Sequence, residues 1–401
     1  MTSINNENYF FPHWHPESWK QCFQKQIPIY KNELSLKESL TYLKNADKLV
    51  FDKDISLLKS LFIEAEKGNV FILQAGDCAE TFESCNLSDV KKRINHLENL
   101  RILLANKINK EVVLIGRMAG QYAKPRTEQF EYKNNSKILS YRGDIINSIH
   151  FNEIERIPDP KRLVTAYENA KKTLHWTYHL AHSNFFVSHE ALHLFYESAL
   201  THYSELSGEW LNYSAHTLWL GERTRDIQGA HVEYLKGIAN PIGVKIGPNA
   251  HPSEVVNLFE ILNPSNSPGK IHFITRFGDN NSLSHLSKII NAIKKSNFNV
   301  TWICDPMHGN SFKTENGFKT RNYSNILNEI VNTINIHKNA GTILSGIHLE
   351  LTYKDVTECI GGNANISEND LHLNYETYCD PRLNKDQSSQ IINDFCSQFS
   401  D

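Results

Sequence analysis

Six cationic residues stand in or just past β-rich runs: Arg117, Lys124, Arg126, Arg223, Lys245 and Arg276. A lone Arg of this kind is ordinarily a surface ion pair. Several brought to one pocket would repel each other unless an anion filled the gap. Phosphates and carboxylates are the natural fillers, which Arg binds bidentately and Lys as a point charge. Glu222, next to Arg223, adds a carboxylate that could orient or deprotonate a water. A second group could hold a metal: Cys78, His308, Glu350 and Asp380. A thiolate, an imidazole and carboxylates suit Mn, Co, Fe or Zn better than Mg or Ca. His189 and His348 are spare donors of the same kind. These residues are far apart in the chain, so only a fold that gathers strand ends gives them joint meaning. No Walker-type loop or GxGxxG fingerprint occurs, so a nucleotide is not the obvious ligand.

Eight β-rich runs could supply those ends: Val70–Gln74, Val112–Ile115, Asn184–Ser188, His216–Leu220, Ile242–Ile246, Ile271–Thr275, Asn299–Cys304 and Thr342–His348. Helical periodicity fills most gaps. One predicted stripe is Leu163, Tyr167, Ala170, Leu174 and Tyr178, opened by Asp159-Pro160; another is Leu327, Ile330, Val331 and Ile334. Strands alternating with helices predict a (β/α)8 TIM barrel, whose C-terminal rim would collect every polar residue named above. Residues 1–68 are expected to form a mostly helical extension, and residues 69–401 the barrel with a C-terminal loop and helix. A doubly wound open sheet is the alternative, but it would string the same residues along an edge.

Composition narrows the partners. The chain has 401 residues, 42 Lys plus Arg and 45 Asp plus Glu, a net charge of -3 that provides no field for nucleic acid. No apolar run is long enough to span a bilayer, and no secretory signal is visible, so a cytoplasmic location is expected. Seven scattered Cys do not make a disulfide framework.

The segments LQAGDCAE, GRMAGQYAKPR, YRGD, SHEAL, HTLWLGERTRDIQGAHVEYLKGIANPIGVKIGP, ITRFG, CDPMHGN, GIHLELTYKDVTECIGG and YETYCDPRLN run in order from Leu73 to Asn384. Through them the chain resembles the class II 3-deoxy-D-arabino-heptulosonate 7-phosphate (DAHP) synthases. The resemblance implies a TIM barrel that condenses phosphoenolpyruvate with erythrose 4-phosphate, the first step of the shikimate pathway. It implies Cys78, His308, Glu350 and Asp380 as ligands of a divalent metal, Mn or Co. It implies Arg117, Lys124, Glu222, Arg223, Lys245 and Arg276 around phosphoenolpyruvate, and Arg126 and Thr127 at the erythrose 4-phosphate end. Glu222 and Lys245 are the expected catalytic groups; the proton donor to the aldehyde oxygen stays open between Lys245 and a metal-bound group. A homo-oligomer, dimer or tetramer, is expected.

The chain departs from the family pattern twice. Ala75 stands where Gly is usual. The segment from Asp144 to Ser188 leaves room for one long helix, where longer members insert helices that bind aromatic amino acids as feedback inhibitors. That implies the compact subgroup, often tied to secondary metabolism such as phenazine formation. Two rival readings are a phosphoenolpyruvate condensation with a different aldose phosphate, and a non-catalytic barrel that partners chorismate mutase. Loss of a ligand would favour the second, and none is lost.

Overall fold

The computed structural model describes residues 13–133, 136–182, 184–279 and 283–399. Eight parallel strands close into a barrel in chain order: β1 (Val70–Gly76), β2 (Glu111–Arg117), β3 (Phe185–Glu190), β4 (Thr217–Leu220), β5 (Ile242–Ile246), β6 (Ile271–Thr275), β7 (Thr301–Cys304) and β8 (Leu344–Glu350). Closure of β8 onto β1 excludes the open sheet. Each predicted run overlaps one of these strands. All seven residues of β1 and of β8 are buried, as expected of parallel strands covered on both faces.

Helices flank the strands: α1 (Glu33–Lys44), α2 (Asp52–Glu66), α3 (Leu87–Ile108), α4 (Lys161–Leu180), α5 (Leu194–Ala199), α6 (Ala230–Leu235), α7 (Pro252–Leu262), α8 (Leu283–Lys295), α9 (Tyr323–Ala340) and α10 (Lys385–Cys396). Local chemistry sets their ends. Asn86 Oδ1 accepts from Asp89 N at 3.0 Å to start α3, and Gly341 in the left-handed region stops α9. Asp159 Oδ1 accepts from Lys161 N at 3.0 Å, so α4 begins two residues past the predicted cap. Its stripe is buried except Tyr178, 45% exposed near the helix end. The α9 face is rotated from its predicted stripe: Ile330 and Ile334 are buried, but Leu327 and Val331 are only half-buried. Buried Glu329 and His337 take the remaining places because both find polar partners there.

Three short antiparallel hairpins escaped the sequence reading: Phe130–Lys133 with Ser136–Leu139, Thr201–Ser204 with Glu209–Asn212, and Ser311–Lys313 with Lys319–Arg321. Strands of three or four residues with mixed polarity leave no usable alternation.

The N-terminal extension packs on the barrel. Trp19 is buried against Phe195 at 5.0 Å, and Trp14 Nε1 donates to Glu233 O at 2.8 Å. Tyr9, Phe10 and Phe11, in the same aromatic stretch, lie outside the described residues. Helix α2 closes the floor. Its Leu58, Phe62 and Ala65 join Ile72, Val113, Ile115, Phe186, Trp219, Ile274 and Ile303 in one inner core. Thr301 donates to Phe62 O at 3.1 Å, which fixes the helix to β7.

Replacing Phe62 with Ala should therefore lower stability by about 3–5 kcal/mol, the usual loss for a buried aromatic. Denaturant titration checks it; a loss below about 1 kcal/mol would mean the floor tolerates a void.

Candidate active site

The predicted metal ligands meet at the C-terminal rim. Cys78 follows β1, Glu350 ends β8 and Asp380 lies in the loop before α10. Their ligand atoms lie within 4.8 Å of one another, and all three side chains are buried. His308, after β7, stands on the open side: Nε2 is 3.1 Å from Glu350 Oε1 and 3.9 Å from Asp380 Oδ2. Its Nδ1 is 2.7 Å from Asp305 Oδ2, a carboxylate that orients the ring and leaves Nε2 to the cluster.

Cations already answer this negative charge. Lys124 Nζ is 2.9 Å from Cys78 Sγ and also ion-pairs with Asp380, whose other oxygen pairs with Lys319. Glu350 binds Arg117 at 2.9 Å and Arg321 at 2.7 Å. Burial alone would raise the Glu350 carboxyl, but His308, Arg321, Lys124 and Arg117 hold it well below the usual range. Asp380 is likewise pulled down, against its burial, by Lys124, Arg321 and Lys319. Burial pushes the Cys78 thiol up, with Cys379 and Glu350 adding to the effect. To ligate a metal it must lose that proton, so binding here releases one. The donor set, and an ammonium lodged against the sulfur, fit the expected divalent metal.

Beside the cluster is a cavity of about 240 Å³ whose wall includes Arg117, Lys124, Glu222, Arg223, Lys245 and Arg276, together with His308 and Asp380. These six residues therefore share a wall with His308 and Asp380, two of the four predicted metal ligands. Arg117 is 2% exposed, donates to Asp77 O at 3.0 Å and stacks 5.0 Å from the Trp219 ring. Lys245 is 2.5 Å from Asp305. Burial pulls its ammonium down to about 8; Asp305 opposes the fall and Arg117 adds to it. Arg276 donates to His308 O at 2.6 Å. Glu222 takes Arg225 on Oε1 at 3.0 Å, while its Oε2 is buried with no hydrogen-bond partner among the described residues. Arg223 is exposed and donates to Thr127 Oγ1 at 3.2 Å. Arg126 is not on this wall; its guanidinium pairs with Glu131 at 2.8 Å.

The spare histidines stay out of the cluster. His348 Nδ1 meets Gln74 Oε1 at 2.9 Å, and Nε2 faces Arg117. His189 is held by Glu197 at 2.9 Å. The sequence reading missed Asp305, Lys319 and Arg321 as site residues. Asp305 lies in CDPMHGN and could have been found as the partner of a strand-end Lys. Lys319 and Arg321 ride on the third hairpin and gave no signal.

The class-II DAHP synthetase family model matches residues 14–183 and 175–394. A phospho-2-dehydro-3-deoxyheptonate aldolase of Neurospora crassa is 38% identical over 449 aligned positions, covering 95% of this chain and 93% of its own. One from Streptomyces coelicolor is 35% identical, covering 93% of this chain and 95% of its own. A solved phospho-2-dehydro-3-deoxyheptonate aldolase from Francisella tularensis superposes with a TM-score of 0.54 at 15% identity, over 91% of this chain and 96% of its own, a likeness of fold alone.

The state of Lys245 sets a pH limit. A charged ammonium can clamp an anion; the neutral amine cannot. kcat/KM for the anionic substrate should therefore hold below about pH 8 and fall above it. Asp305→Asn removes the charge that supports the ammonium, so the fall should begin at lower pH. A flat profile through pH 10 would show that Lys245 need not be charged.

Proposed function

This chain belongs to the class-II DAHP synthetase family, and from that premise we propose how its residues divide the work. Its activity is that of a 3-deoxy-7-phosphoheptulonate synthase, a transferase of the shikimate pathway. Phosphoenolpyruvate, erythrose 4-phosphate and water give DAHP and phosphate. Arg117, Arg223, Lys245 and Arg276 hold the carboxylate and phosphate of phosphoenolpyruvate, with Lys124 at the border of the metal cluster. Arg126 and Thr127 receive the phosphate of the aldose. Holding both anions in register turns a bimolecular encounter into an oriented one. Cys78, His308, Glu350 and Asp380 hold the metal, Mn or Co, which when bound supplies Lewis acidity toward the aldehyde oxygen. Glu222 orients the water that adds to the enol carbon after the carbon–carbon bond forms, and phosphate then departs. Its Oε2, without a partner among the described residues, supports that role. Lys245, poised near pH 8, gives its proton to the new alkoxide. The observation that carries this assignment is that Asp380, grouped with Cys78 and Glu350, lines the cationic cavity together with His308.

The compact form has support of its own. The two stretches of the family match meet at residues 175–183, where α4 ends and β3 has yet to begin. The Neurospora crassa alignment covers 95% of 401 residues, about 381, in 449 positions, which leaves roughly 68 without a counterpart here. Exposed Phe23, Ile29 and Leu34 on the extension support an oligomer built there. Seven free cysteines support a reducing, cytoplasmic setting.

The direct test is phosphate release with erythrose 4-phosphate against other aldose phosphates. Faster turnover of another sugar would change the second substrate. Exhaustive chelation should abolish release, and Mn or Co should restore it. Cys78→Ser should weaken metal binding sharply, whereas Cys85→Ser and Cys396→Ser should not. Full activity in a metal-free preparation would sink the metal assignment.

Without inserted helices, phenylalanine, tyrosine and tryptophan, singly or in pairs, should leave phosphoenolpyruvate consumption unchanged at subsaturating substrate. Strong inhibition would place control in the extension or at a subunit interface.

A further inference from the structure

We propose that Gln26, in the strap between the N-terminal turn Ser18–Gln21 and α1, is a positioning residue for the sugar-phosphate corner of the site. The proposal rests on the assignment of that corner to Arg126 and Thr127. The loop Lys124–Thr127 belongs to no helix or strand, so its backbone must find partners elsewhere. Gln26 supplies them for Arg126. Arg126 N donates to Gln26 Oε1 at 3.0 Å, and Gln26 Nε2 donates to Arg126 O at 3.0 Å. One side-chain amide thus satisfies both main-chain groups of a residue 100 positions away, as a neighbouring strand would.

The strap is itself fastened. Ala230 N donates to Phe23 O at 2.9 Å, Lys25 Nζ reaches Asp226 at 3.4 Å, and Arg142 donates to Gln26 O. Gln26 holds a φ of +60°, a conformation uncommon for a residue with a Cβ. Two further bonds complete the mounting: Lys124 N to Arg142 O at 2.9 Å, and Arg223 to Thr127 at 3.2 Å. The Arg126 guanidinium rests on Glu131, which Arg156 also holds at 2.9 Å. An arriving phosphate can draw Arg126 away without leaving Glu131 unpaired. Gln26 therefore fixes the root of a side chain whose tip is free to exchange one anion for another.

Gln26→Met keeps the length and removes both hydrogen bonds. It should raise KM for erythrose 4-phosphate by roughly five-fold to about 150-fold, the loss of two net hydrogen bonds, with KM for phosphoenolpyruvate within about two-fold. An unchanged KM for the aldose overturns the proposal. So does a parallel loss in both KM values and kcat with a lowered melting temperature, which would make Gln26 a packing residue. Arg126→Ala, measured alongside, separates the two claims. If it leaves KM for erythrose 4-phosphate unchanged, the assignment of Arg126 fails, and the Gln26→Met result still decides whether Gln26 positions the loop.

Discussion

A buried, ionised carboxylate organises this molecule. Glu350 has no exposed surface, and an unpaired charge in such a place would cost several kcal/mol. Each oxygen is claimed by a different guanidinium, Arg117 from β2 and Arg321 from the hairpin after β7. Register makes the first pairing possible. Gly76 lies opposite both Arg117 and Glu350 in the sheet, and a Cβ there would meet Arg117 O at 2.8 Å. A bare backbone between the two lets them touch. The hairpin that carries Arg321 is also tied down by Lys319 to Asp380, Thr320 to Glu358 O and Tyr375 to Lys319 O, so the carboxylate is one of several anchors that hold the loop beside the site.

The cations of the cavity are not equivalent. Lys124 and Lys245 are matched to Asp380 and Asp305, and Arg117 to Glu350. Arg223 and Arg276 donate to neutral oxygens, a hydroxyl and a carbonyl. Among the described residues neither charge is committed to a carboxylate, which on the proposed reading leaves both for an anion. On the proposed assignment the paired residues share their charge between a carboxylate and the substrate, and the other two offer theirs to the substrate alone.

What the sequence made legible follows the same physics. Barrel strands buried on both faces are continuous apolar runs, so all eight stood out, and polar residues at their ends marked the rim. Cys78, His308 and Glu350 could be grouped because each sits in or just past such a run. Arg321 and Lys319 could not, since a three-residue strand such as Lys319–Arg321 has no readable period. Gln26 was equally silent: its importance lies in an amide meeting another residue's backbone, a relation that leaves no mark on residue type. The rotated face of α9 failed for a related reason, because buried Glu329 and His337 look solvent-facing until their partners are known.

Barrel closure also dictates an order of assembly. Gln74 and His348, 274 positions apart, are neighbours across the seam between β1 and β8. Contacts so remote in the chain form late, after the entropy of a very long loop has been spent. Cys78 lies on one side of that seam, Glu350 and Asp380 on the other. A chain emerging from the ribosome therefore carries one of the four proposed ligands, Cys78, until His308 follows, and the proposed site is complete only when the seam is sewn. A metal that binds only the sewn form shifts the folding balance toward it by mass action. For this architecture an ion held by the proposed ligands would act as a clasp as well as a reagent.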